Sequence, residues 1–449
     1  MNVFIGVDIG TTSTKALAFG PDGSVQAQHS VGYPILHPHP DWSEQDPIGI
    51  RDAAVECLNV VSAACQGKYA IQGVAFSAAM HSLIPTDASG RPLSNMLIWA
   101  DNRAADLATD LKNTDAGRAL FQLTGTPIHA MSPLAKLLWI RQHQPDIWAN
   151  TACFHDIKSF VWAHITGEWY TDQSIGSASG LMNLNSKHWE PSALQLLQLE
   201  EDRLPVLVPP RHTAGFHPDR CPDLRLPPGT PLVIGASDGC LANLGMGALE
   251  PGVLAVTIGT SGAVRMGITT PVIDPQMRVF CYYLDEGQYI TGGGTNSGAI
   301  ALQWLKEQVF QDDQPMEAFL NLATTVPPGS EGLVFRPYLL GERAPFWDAH
   351  LTASFTGLTL RHGKAHFIRA AMEGVVSHLN LLKEILAELA PIRQVIAGGG
   401  FAQNKLWVQM LADVFQVEVM VPDSVESSAW GAVVLATPPP SPPPEERGA

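Results

Sequence analysis

An α/β fold built from two similar halves is predicted by three observations on this sequence. Period-two strand patterns alternate with helical patterns along the chain. A short segment of the first half, Val7-Asp8-Ile9-Gly10-Thr11-Thr12, is echoed in the second by Val256-Thr257-Ile258-Gly259-Thr260-Ser261. The 449 residues give two or three domains at about 150 residues each. An echo whose spacing exceeds half the chain argues for duplicated halves rather than a solenoid. The boundary falls near Gly245.

The first element alternates Val3, Ile5, Val7 and Ile9 on one face with Phe4, Gly6 and Asp8 on the other, which is a strand. Gly10 to Ser13 breaks it, Lys15 to Phe19 resumes it, and Gly20-Pro21-Asp22-Gly23 turns the chain into Val25–Val31. The opening is therefore an antiparallel meander. Pro47 to Ala64 follows with Ala54, Val55, Leu58 and Val61 at helical spacing, and Ala70 to Phe76 is a buried strand. Arg103 to Trp148 is mostly helical. Leu204 to Thr230 is Pro-rich and irregular, a surface connection. Pro231 to Ala236 forms a strand that runs into Ser237-Asp238-Gly239 and a helix of small residues. Thr437 to Ala449 holds six prolines without periodicity, a low-complexity tail.

Composition narrows the function. Hydrophobic residues make up 45% and charged residues 16%, enough apolar surface for large cores. The net charge of −16 argues against nucleic acid or an anionic membrane as a bulk partner. Phosphates, if handled, need local dipoles, a metal and a few placed cations. The six cysteines form no C-x-x-C pair and lack zinc-site company, so they read as small buried hydrophobes in a reducing compartment. No basic leader or membrane-length apolar run is present, which predicts a soluble, cytoplasmic protein.

Several segments can carry chemistry. Each Gly-Thr turn offers close backbone approach, an anion nest and hydroxyl donors, and two of them could grip a polyphosphate between the halves. Either alone is equally a hairpin turn, and neither fits a P-loop. Asp8, a carboxylate in an apolar strand, suits Mg²⁺ held through water and phosphate oxygens, or else a solvent-facing strand position. Asp238 stands at the carboxyl end of a strand, where ligands bind in such sheets; it is either a helix N-cap or a general base for an alcohol. Gly398-Gly399-Gly400 follows the strand Gln394–Ile396, and Gly292-Gly293-Gly294 precedes a second helix; such runs let a flat ligand or phosphate meet backbone. Met80-His81-Ser82 and Trp99-Ala100-Asp101-Asn102-Arg103 supply imidazole, indole, carboxylate and guanidinium groups, the mixture a polyhydroxyl ligand wants. Read blandly, His81 is a core histidine and Asp101 with Arg103 a surface ion pair.

These residues, in this order, resemble the FGGY carbohydrate kinase family from about Val3 to Ala436. Gly6–Phe19 is similar to its first phosphate motif, Thr257–Val264 to its second, and Ile396–Phe415 to its adenosine motif. Met131 to Ile140, and Ala353 through Leu358 with His366 to Glu373, resemble two further family patterns. The resemblance implies two actin-like (ribonuclease H-like) domains with a catalytic cleft between them. It places sugar and the first phosphate motif in 1–245, nucleotide in 246–436, and the Pro-rich tail at 437–449. Family members usually continue with further helices after Ala429-Trp430-Gly431-Ala432, so the second domain is expected to be shortened.

The resemblance carries Asp238 over as catalytic base in contact with substrate, and Asp8 to the Mg²⁺ region. Thr11, Thr12, Ser13, Lys15, Gly259 and Thr260 go to phosphate contacts, and Gly399 and Asn404 to ATP binding. Met80, His81, Trp99, Asp101 and Arg103 go to the sugar site. ATP and Mg²⁺ are the implied cofactors, a sugar or sugar acid is the small-molecule partner, and a homodimer is left open. Ala79-Met80-His81-Ser82 with Trp99 to Arg103 is most similar to the branch acting on gluconate, with xylulose the nearest alternative. An actin-like ATPase would lack need of the His81 cluster. A sugar-binding regulator could dispense with Asp238. If the substrate is a sugar acid, Arg103 is the cation expected to pair its carboxylate.

Overall fold

The computed structural model describes residues 1–422 and 426–437; the tail, save Thr437, lies outside the described residues. Two six-stranded sheets carry the fold. Five strands of each follow one plan. In the first sheet the order is Val25–Gly32, Ser13–Phe19, Asn2–Ile9, Ala70–Ala78, Pro231–Ser237. In the second it is Gln288–Thr295, Gly262–Ile268, Val253–Ile258, Gln394–Gly398, Glu418–Met420. In both, the first three strands run antiparallel as a meander and the remaining pairings are parallel. The sequence echo is thus a structural one: Asp8 and Thr257 hold the same place on equivalent central strands.

Apolar alternation explains the burial. Val3, Ile5, Val7 and Ile9 are all buried, and the helix Pro47–Cys65 covers that sheet with Ala54, Leu58 and Val61. Asp46 caps this helix by accepting from Ile48 N, and Pro47 takes its first position, where no amide is needed. The stretch after Arg103 forms helices over Ala105–Lys112, Asp115–Thr124, Pro133–His143 and Pro145–Asn150. All six cysteines are free and buried. No helix among the described residues is long and apolar enough to cross a membrane.

Two differences from the sequence expectation matter. Gly292-Gly293-Gly294 lies within the strand Gln288–Thr295 and forms no turn. Its small size answers close strand packing: a Cβ on Gly292 would stand 2.3 Å from Val264 O. The helix Ser427–Ala436, which a division at 245 gives to the second half, packs instead on the first sheet. Ala429 and Val433 join Leu17 and Phe19, while Ala432 and Leu435 join Ala75 and Val233. It also crosses the helix Asp238–Gly245 at glycines. A Cβ on Gly245 would lie 2.0 Å from Ser427 O, and one on Gly431 2.0 Å from Leu241 O. The helix that starts at Asp238 is therefore clamped between the two sheets.

Candidate active site

A cavity of about 260 Å³ opens where the two halves face each other. Thr11, Met80, His81, Trp99 and Asp238 line it from the first half, and Thr257, Gly259, Arg265, Tyr282 and Arg343 from the second. A second cavity of about 240 Å³ continues from it through Trp99, Ser261 and Arg343, and adds Thr260 and Asn296.

Asp238 is the first residue of its helix, after Ser237, whose side chain makes no cap bond. Its Oδ1 accepts from Gly239 N at 2.6 Å. The strand end before it is braced by Lys158, which donates to Ala236 O at 2.8 Å and pairs with Asp172 at 2.6 Å. Burial raises the Asp238 pKa, opposed by the Arg265 guanidinium and the Gly239 amide. Gly239 lets that guanidinium come close, since a Cβ there would meet Arg265 Nε at 3.2 Å. A raised pKa makes this carboxylate, at a strand end, a stronger base than an exposed one.

Asp8 stands beside Ser77 in register and accepts from Ser77 Oγ at 2.8 Å. Burial and the Asp238 charge push its pKa up to about 6. A carboxylate whose proton affinity is raised by a second carboxylate, two residues before the first Gly-Thr turn, fits a divalent cation, which takes one or two carboxylates with water and phosphate oxygens. Among the described residues no cluster of three or more His, Cys, Asp or Glu forms a protein-only cage.

His81 adopts φ 69°, an uncommon backbone for a non-glycine residue. Its Nδ1 donates to Ala178 O at 2.8 Å, and its carbonyl accepts from the buried Lys136 Nζ. Burial and Lys136 lower its pKa to about 3, so the ring is neutral. With Nδ1 as donor, Nε2 is an acceptor for a hydroxyl hydrogen. Trp99 is fixed by donating from Nε1 to Thr11 Oγ1 at 2.9 Å. Phe280 and Tyr282, stacked at 4.2 Å, give a flat aromatic wall opposite.

The structure separates other expected site residues from the cavity. Arg103 and Asp101 do not line it. Arg103 donates from Nε and Nη2 to the two Asp101 oxygens at 2.8 Å each, and pairs with Glu44 at 2.6 Å. Its guanidinium lies 3.8 Å over Trp42, and Asp101 Oδ2 also accepts from Ser43 N at 2.7 Å. Both side chains are buried, and these bonds hold them away from the cavity wall. Lys15 pairs with Glu426 at 2.8 Å, away from the cavity. Thr12 and Ser13 close the hairpin through backbone bonds, Tyr33 N to Thr12 O and Gly10 N to Ser13 O. Asn404 caps the helix Lys405–Phe415 by accepting from Trp407 N at 3.0 Å. Gly399, at φ 88°, lies against Ile258.

Arg265 and Arg343 are the charged cavity residues that sequence reasoning missed, beside the aromatic pair Phe280 and Tyr282. Arg343 follows Glu342, a buried carboxylate that accepts from Thr295 Oγ1, Ser297 Oγ, Asn296 N and Arg343 N at 2.7–2.8 Å. The only sequence sign was a charged pair, Glu342-Arg343, inside an apolar Gly- and Pro-containing loop.

Residues 3–245 match the FGGY family of carbohydrate kinases, N-terminal domain, and residues 254–437 its C-terminal domain. The chain is similar to the gluconokinase of Bacillus subtilis (strain 168), 40% identical over 443 residues, covering 96% of this chain and 86% of that protein. Two solved structures from Lactobacillus acidophilus superpose with a TM-score of 0.92 and 33% identity, over 97% of this chain. One is of a gluconate kinase, 88% covered, and the other of a ligand-bound xylulose kinase, 89% covered. Duplicated sheets, a cleft between them and matches across nearly the whole length lead to one conclusion: the chain belongs to the FGGY family of carbohydrate kinases.

Proposed function

We propose that this kinase transfers the γ-phosphoryl group of ATP to the primary hydroxyl of D-gluconate, giving 6-phospho-D-gluconate. The observation that carries the reading is the placement of Asp238, half-buried in one cavity with the His81–Trp99 wall and the second Gly-Thr turn. The likeness to a gluconokinase at 40% identity supports the substrate.

In this reading His81 Nε2 and the aromatic walls orient the sugar. Asp238 takes the hydroxyl proton as that oxygen bonds to phosphorus and the bond to the ADP oxygen breaks. The amides and hydroxyls of Gly259, Thr260 and Thr11 hold charge on the phosphoryl oxygens. Gly399 offers bare backbone to the nucleotide. Asp8 would hold Mg²⁺, whose positive charge screens the phosphates from the acidic protein. Closure of the halves excludes water that would otherwise consume ATP. Residues 1–245 serve sugar and the first phosphate turn, and 246–436 the nucleotide, apart from the helix Ser427–Ala436, which braces Asp238. A cytoplasmic location suits the free thiols.

The similarity to a solved xylulose kinase keeps D-xylulose as the second reading. A coupled ADP assay over hexonates, ketoses and polyols tests both. Gluconate should give the highest kcat/KM; a higher value for D-xylulose moves the protein to the second reading.

A further inference from the structure

We infer that Arg343 is the residue that selects a carboxylated substrate, pairing its guanidinium with the carboxylate of the sugar acid against the face of Trp99. This rests on the gluconate reading above and names the contact that produces it.

The cavity holds more positive than negative charge although the protein carries −16. Its lining has two guanidiniums, Arg265 and Arg343, against one carboxylate, Asp238, and a neutral His81. Neither arginine has a carboxylate ion-pair partner among the described residues. Asp238 and Glu342 act on these guanidiniums only from beyond ion-pair distance, which leaves them open to an anionic ligand.

The two arginines have different neighbours. Arg265 lies against Gly239, exerts the larger pull on Asp238, and its Nη1 reaches Thr257 Oγ1 at 3.4 Å. It belongs to the phosphoryl side. Arg343 exerts the weaker pull on Asp238 and lies 4.7 Å over the Trp99 ring, on the sugar wall. Its Nη2 donates to Thr295 O at 2.8 Å, which fixes the plane, while its Nε is buried without a partner. Glu342 anchors the backbone at the same place. Gly294 makes room, as a Cβ there would stand 2.9 Å from Nη1. A rigid, stacked guanidinium at the cavity wall offers the planar N–H fork that matches a carboxylate. Burial lowers its pKa to about 10, so it stays charged at neutral pH.

The test compares wild type with Arg343→Gln and Arg343→Lys on D-gluconate, on D-xylulose, and on D-glucitol. Glucitol keeps the gluconate chain but has a hydroxymethyl in place of the carboxylate. Turnover is measured, and affinity is read by titration calorimetry with a non-hydrolysable ATP analogue, so that slow substrates still report. Arg343→Gln should weaken gluconate by at least about 30-fold and the neutral ligands by less than about three-fold. Arg343→Lys, which keeps the charge and loses the fork, should fall between and decides the matter if the Gln variant does not fold. Equal losses on all three ligands would assign Arg343 to phosphate or to folding and overturn the inference alone. A wild type that neither binds nor phosphorylates gluconate would overturn the function itself, and this inference with it.

Discussion

The Arg343 guanidinium rests 4.7 Å above the Trp99 indole, a contact that joins the second half of the molecule to the first across the cleft. Trp99 in turn donates to Thr11, the hydroxyl of the first Gly-Thr turn. One chain of contacts therefore links the sugar wall, a phosphate turn and the opposite domain.

Asp238→Asn should keep sugar and ATP binding while lowering kcat by about two to four orders of magnitude, the usual loss of a general base. The amide preserves shape and can still accept from Gly239 N. A kcat within a few-fold of the parent would leave Asp238 as a helix-start residue only.

Asp8→Asn should act on metal and on stability in opposite directions. The folded pKa of about 6 lies above the ordinary 3.8, so the folded protein holds this proton more tightly than the unfolded chain. Stability is then lost as pH rises from about 4 to 6 and stays lost above. Without Mg²⁺ the variant should melt higher than wild type at pH 8, by about 1–2 kcal/mol after allowance for solvent screening, and alike at pH 4. Added Mg²⁺ with nucleotide should raise the melting temperature of wild type more than that of the variant. Identical melting at pH 8 with and without the carboxylate would place Asp8 in water.

The fold was legible wherever pattern and local chemistry agreed. Alternating Val3 to Ile9, the Gly10 turn and the echo at Val256 name equivalent strands, because a two-residue period survives without knowledge of partners. The return of Ser427–Ala436 to the first sheet was not legible. Its residues are mostly small or apolar with no clear polar face, and the facing glycines Gly245 and Gly431 mark which helix it meets. In the site, Asp238 and His81 could be read from motif and strand end. Arg103 lies off the cavity, which the sequence could not show, because an arginine beside an aspartate looks alike whether enclosed or free; Trp42 and Glu44, which enclose it, lie about sixty residues earlier in the chain. Arg343 was hidden for the converse reason, since its surroundings come from Trp99, Gly294 and Thr295.

Lys136→Met should raise the KM for sugar at least about ten-fold while changing kcat less. Lys136 Nζ donates to the carbonyls of His81 and, at 2.8 Å, of Ile98, and so ties together the two loops that carry His81 and Trp99. Burial lowers its pKa to about 7, with the Asp101 charge opposing. Methionine fills a similar volume and removes a costly buried charge, while leaving two carbonyls short of a donor at about 1–3 kcal/mol each. The two effects offset, so stability should shift little and binding should bear the loss. An unchanged KM would show that the loops hold without this tie.

Arg103→Lys should destabilise the protein and leave its substrate preference untouched. The Arg103 side chain is 1% exposed, forks onto Asp101, reaches Glu44 and lies between the rings of Trp42 and Trp139. Lysine keeps the charge but cannot span both Asp101 oxygens and Glu44 at once, nor stack as a plane. Breaking a buried pair costs about 3–5 kcal/mol when one partner is removed, and the retained ammonium should recover part of that. The expected loss is about 2–3 kcal/mol, read from denaturant unfolding monitored at the tryptophans. Because Asp101 also accepts from Ser43 N, the distortion should spread toward Trp99 and lower turnover of gluconate and of D-xylulose by the same factor. The ratio of the two kcat/KM values separates this residue from Arg343. A ratio that collapses in Arg103→Lys, with stability intact, would make Arg103 a substrate contact and contradict its enclosure by Asp101, Glu44 and the two indoles.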